Sequence, residues 1–140
     1  MKSKQVLSIE QMQHLQELGL DTSNASAFWC NPDRHGDWSL EFTYSCGGII
    51  PQPNRHDDLC PAYTLQDVLD TLPKRIYDEG AFYLGCYDII IDEYDICYAK
   101  WCGAEIESTY VEMEIKDNLI DAAYEMLCWC IENGHVNTKN

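Results

Sequence analysis

Apolar residues recur at helical spacing near both ends of the chain and alternate with polar ones between them. Ile9, Met12, Leu15 and Leu18 return every three residues and make one stripe. Ser8, with Gln11 three residues on, reads as a capping box in which each side chain satisfies the other residue's backbone N–H. Gly19 suits the left-handed position after a helix, and Leu20 is placed to fold back on Leu15 as in a Schellman motif. Together these predict a helix over 9–18. Towards the other end, Ile120, Ala123, Leu127, Cys130 and Ile131 form a stripe widened by Leu119, Ala122, Met126 and Trp129. Asp117 or Asn118 caps it, Gly134 ends it, and Asp121, Glu125, Cys128 and Glu132 occupy the opposite face. A third, short helix is expected where Thr64 and Asp67 precede Val68, Leu69 and Leu72, with Pro73 stopping it.

The intervening segments read as strands. Residues 27–30 are a short apolar run, and Trp38, Leu40, Phe42 and Tyr44 alternate with Ser39, Glu41 and Thr43, the signature of a half-buried antiparallel strand. Gly47 and Gly48 end that strand, and Pro51, Pro53 and Asn54 make the stretch to residue 61 an expected surface loop. Beyond Ala81 the chain is rich in Phe, Tyr and Ile and predicts three strands near 81–90, 94–102 and 106–115, joined as an antiparallel meander. The order α-β-β-α-β-β-β-α defines an α+β class: one domain over 1–140, with three helices on a two-layer antiparallel sheet of about five strands. The meander carries bulky residues at both parities, Phe82 and Leu84 against Tyr83 and Tyr87, so a homodimer through its uncovered face is expected.

Charge narrows the choice of partners. The 140 residues carry 24 acidic and 9 basic side chains, a net charge of −15, where a small soluble domain ordinarily carries a magnitude of about 2 to 8. That field repels phosphate backbones and anionic lipid, which argues against direct nucleic-acid or membrane binding and favours a protein with a basic surface. The opening residues lack the apolar block of a secretory signal, and no run approaches a membrane span, so the expected location is cytoplasmic.

Eight cysteines with no export signal are expected to be reduced. Cys30, Cys46, Cys86, Cys97, Cys102 and Cys130 lie beside apolar neighbours and read as small hydrophobes. On one helix Cys128 and Cys130 point about 200° apart and cannot grip one ion. Cys130 is expected in the core, and Cys128 exposed between Glu125 and Glu132, whose charges hold its pKa high. The alternative chemistry is a zinc-stabilised module built from Cys30, His35, His56 and Cys60, two thiolates and two imidazoles for a tetrahedral ion. A small enzyme is a further alternative: Cys30, Cys46 or Cys60 could pair with His35 or His56, oriented by Asp57 or Asp58. No catalytic or phosphate-binding motif accompanies these residues, so no catalytic, cofactor-binding or metal residue is assigned and enzymatic activity is not expected. Asp88, Asp92, Glu93 and Asp95, with Glu105, Glu107, Glu112 and Glu114, read as a solvated acidic rim.

Three stretches taken together carry a resemblance: 5–23 (QVLSIEQMQHLQELGLDTS), 61–74 (PAYTLQDVLDTLPK) and 119–134 (LIDAAYEMLCWCIENG). They resemble a group of small uncharacterised proteins of phages, prophages and other mobile elements of gut bacteria. The stretches hold the helix caps and stripes, so the resemblance implies a shared fold and carries no activity or functional residues with it. The expectation is a non-enzymatic, acidic, protein-binding accessory protein of a mobile element.

Overall fold

The computed structural model describes residues 4–34, 36–52, 58–77, 86–92, 95–102, 105–107 and 118–138. In chain order the elements are α1 (Ile9–Glu17), β1 (Ala27–Asn31), β2 (Ser39–Phe42), β3 (Asp58–Ala62), α2 (Leu65–Thr71), β4 (Arg75–Tyr77), β5 (Cys86–Ile91), β6 (Ile96–Cys102), β7 (Glu105–Glu107) and α3 (Leu119–Glu132). Short 3₁₀ turns follow β1 at Pro32–Arg34 and β2 at Thr43–Cys46. The α+β class holds, but in place of a single five-stranded sheet there are two antiparallel sheets, ordered β2-β1-β3 and β4-β5-β6-β7.

The helices form where caps and stripes coincide. Ser8 and Gln11 make both bonds of the capping box on α1. Gly19, at φ +97°, donates to the Gln16 carbonyl, and Leu20 donates to that of Leu15. These two bonds complete the Schellman motif, in a left-handed conformation that costs glycine little. The same pair closes α3, from Gly134 to Ile131 and from His135 to Cys130. Thr64 and Asp67 box the start of α2, and Asn118 caps α3 by accepting from the Asp121 amide.

Two strands were not foreseen, β3 and β4. The first lies where a loop was expected, and the register explains how a strand accommodates its proline. Thr43 N–H donates to the Ser26 carbonyl, so on the β1–β2 side the hydrogen-bonded pairs are 43 with 26 and 41 with 28. Phe28 therefore bonds towards β2, which makes its pairing with Pro61 on β3 a non-bonded one. The nitrogen of Pro61 faces away from β1, where no N–H is needed. The expected strands near 81–90, 94–102 and 106–115 correspond to β5, β6 and β7; residues 81–85 and 108–117 lie outside the described residues, and with them Phe82, Tyr83 and Leu84 of the face expected to dimerise, while Tyr87 packs against the core.

One core joins the two sheets. Leu7, Met12 and Leu15 pack with Cys60 and Tyr63, with Val68 of α2, with Ile76, Ile96 and Tyr98 of the second sheet, and with Met126, Leu127 and Cys130 of α3. Lys4 straps the N-terminal segment to α3: its ammonium donates to Asp121 Oδ1 and Gln11 Oε1, each at 2.7 Å. Burial raises the Asp121 pKa, but hydrogen bonds from Lys4 and Gln11, with the Lys4 charge and Asn118, outweigh it and the net shift is downward. A carboxyl whose folded pKa lies below its unfolded value of about 3.9 stabilises the fold above that pH, and the contribution fades as pH falls through the folded value. The gap between the unfolding midpoints of the wild type and Asp121→Asn is therefore expected to narrow as the pH drops below about 4. A gap independent of pH would contradict that contribution.

Candidate interaction surface at the edge of β2

The residues proposed for zinc do not converge in their cysteine pair. Cys60 stands opposite Trp29, while Cys30 stands opposite Leu59. Neighbouring positions on a strand point to opposite faces, so the two thiols lie on opposite sides of the sheet. Cys60 is buried in the core, and burial raises its pKa. His35, His56 and Asp57 lie outside the described residues, and among the described ones no group of three potential ligands assembles. Asp58 instead pairs with Arg34 at 3.1 Å.

The thiols of α3 correct one expectation. Cys128 is buried, not exposed, and shares the core cluster with Tyr124 one turn earlier. Burial, reinforced by the charges of Glu125 and Glu132, pushes its pKa up to about 11 against the lowering effect of Tyr124. Cys130 is buried as expected and is likewise pushed up to about 11 by burial, against a hydrogen bond to Tyr98. Cys46, expected among apolar neighbours, is exposed on the turn after β2. An alkylating reagent at about pH 8 is therefore expected to modify Cys46 rapidly and to reach Cys60, Cys128 and Cys130 only after denaturation, as read by mass spectrometry. Rapid modification of Cys128 in the folded protein would contradict its burial.

Some of the acidic groups are tied into structure. Asp88 pairs with Arg75 at 2.6 Å, which lowers its pKa chiefly through that hydrogen bond. An open cleft of about 490 Å³ lies beyond the end of α1, with Glu17, Asp21, Thr22, Ser23 and Pro61 on its walls. Its polar groups are occupied in holding the loop: Gln16 donates to Thr22 Oγ1, and Ser23 N–H to Asp21 Oδ1. Among the described residues no histidine or cysteine lines it, so the hydroxyls of Thr22 and Ser23 have no imidazole base beside them there.

The most unusual surface surrounds β2. Tyr44 is 81% exposed, Ile49 71% and Trp38 37%, so three of the five large apolar side chains exposed among the described residues fall within one short segment. Tyr44 stacks on Phe42 at 5.6 Å between ring centroids, and exposed carboxylates stand just before the strand at Asp37 and within it at Glu41. The alternation seen in the sequence is real but only half buried: Leu40 and Phe42 pack on Ala27, Ala62 and Val6, while Trp38 and Tyr44 remain outside.

A relay of hydrogen bonds holds this segment in place. Asp67 of α2 accepts from Ser26 N–H at 2.8 Å and Ser26 Oγ at 2.6 Å. The Ser26 carbonyl accepts from the backbone and the hydroxyl of Thr43, and the Thr43 carbonyl accepts from Gly47 and Gly48. Both glycines are left-handed, at φ +81° and +87°, which lets the chain reverse immediately after Tyr44 and present Ile49. The segment that carries the aromatic patch is thus tied to α2 as well as by its own stacking and packing.

No protein-family model matches this chain, and neither a curated protein nor a solved structure matches it. Fold and surface define an acidic α+β protein with an aromatic patch beside a sheet edge, and among the described residues no helix is long and apolar enough to cross a membrane.

Proposed function

We propose that this chain is a cytoplasmic, non-enzymatic accessory protein of a mobile element that binds another protein with a basic surface through the patch around β2. The exposure of Trp38, Tyr44 and Ile49 beside Asp37 and Glu41 carries the reading. Aromatic anchors supply most of the energy at protein interfaces, and rim carboxylates steer a cationic partner towards them. The mobile-element assignment rests on the three resembling stretches alone. The net charge of −15 supports a cationic protein over nucleic acid or anionic lipid.

The test is affinity capture followed by binding measurements with the purified partner. Trp38→Ala combined with Tyr44→Ala is expected to weaken binding by at least about tenfold, as for interface hot spots. Tyr77→Ala, an equally bare aromatic on the second sheet, is expected to change it by less than about twofold. Affinity is also expected to fall as salt rises. A partner indifferent to Trp38 and Tyr44, or one sensitive to Tyr77 instead, would overturn the assignment of the surface.

A further inference from the structure

We infer that the outer edge of β2 accepts an extended, lysine- or arginine-bearing segment of the partner as an added strand. This deepens the docking reading and rests on it. The register that places Glu41 and Thr43 in bonded pairs with β1 turns the N–H and C=O of Leu40 and Phe42 outward. The Phe42 carbonyl accepts from Ser45 Oγ at 2.8 Å, so among the described residues Leu40 N–H, Leu40 C=O and Phe42 N–H are the groups left for a ladder.

The other edge of the same sheet is closed. Pro61 has no N–H to offer there, and the N-terminal segment already pairs just beyond it, through the Val6–Thr64 bridge and the Leu7 N–H to Tyr63 carbonyl bond. Among the described residues the edges of the second sheet, β4 and β7, are three residues each, shorter than β2, and on β4 the Asp88 carboxylate beside Arg75 is already engaged by that guanidinium. Edge β2 has Asp37 just before it and Glu41 within it, and lysine or arginine on an added strand would stand beside Glu41 on one face. Alternate apolar residues would extend the face of Leu40 and Phe42, with Trp38 and Tyr44 at the two ends. A second copy of this chain would bring its own charge of −15, so the occupant is a cationic segment of a different protein.

The probe is a capped peptide of about ten residues alternating lysine and valine, added to the full chain, with a glutamate–valine peptide as control. The expected result is saturable binding of the lysine peptide alone, with amide hydrogen exchange slowed at Leu40 and Phe42. Leu40→Pro deletes the outward N–H, whereas Leu40→Ala loses the same packing and keeps it. The proline variant is expected to bind about fivefold more weakly than the alanine variant, the worth of one hydrogen bond. If Leu40→Pro does not fold, the exchange rates of the unaltered protein decide.

Absence of saturable binding, binding without protection of Leu40 and Phe42, or equal affinities of the two variants would overturn strand addition. If the captured partner still requires Trp38 and Tyr44 in that case, docking stands and only its mode is wrong. If the partner is indifferent to those aromatics as well, both readings fail.

Discussion

Replacing Leu127 with alanine is expected to lower the unfolding free energy by about 3 kcal/mol, within the range for fully buried leucines. Leu127 is 0% exposed and belongs to the core that also contains Leu15 of α1, Val68 of α2 and Tyr98 of β6. Those neighbours are anchored by elements on several sides, so the space cannot close by the shift of one helix, and the cavity cost adds to the lost transfer energy. Urea unfolding would show a lowered midpoint with an unchanged slope. Glu125→Ala, on the exposed side of the same helix, is expected to change stability by less than about 0.5 kcal/mol. A loss below about 1 kcal/mol at Leu127 would mean that this side chain does not lie in the core shared by the two sheets.

Asp67→Ala is the second large effect, about 2 kcal/mol. The carboxylate caps α2 by accepting from Thr64 N–H at 3.0 Å and also holds both donors of Ser26. A lost cap costs about 1 kcal/mol, and bonds to a charged acceptor add to this, moderated by the partial exposure of the site. The consequence extends beyond stability, because Ser26 positions Thr43 and Thr43 holds Gly48. The Gly48 amide is expected to exchange faster in the variant, and partner affinity to fall although Asp67 touches no proposed contact. An unchanged Gly48 amide would show that the turn carrying Tyr44 is held independently of α2.

The parts of the fold legible in the sequence are those fixed by local bonds. Ser8 with Gln11, Thr64 with Asp67, and the glycines at 19 and 134 announce helix ends because each motif closes within a few residues. What escaped depended on distant partners. Strand β3 was hidden because Pro61 argues against a strand until the partner register shows its nitrogen on the outer side. The division into two sheets was hidden because alternation reports that a strand has a buried face but not which strand lies beside it. Cys128 was assigned to the solvent face between two glutamates, but the core cluster reaches round α3 far enough to include both Tyr124 and Cys128. The alternation at 38–44 announced a half-buried strand, and only the structure separated its inner pair, Leu40 and Phe42, from its bare ends, Trp38 and Tyr44.

Amide hydrogen exchange on the protein alone tests the outer edge of β2 most directly. The account predicts that Glu41 and Thr43 exchange slowly, since their N–H groups donate to β1, while Leu40 and Phe42 between them exchange orders of magnitude faster. Equal protection at all four positions would mean that this edge is already covered, and would contradict it.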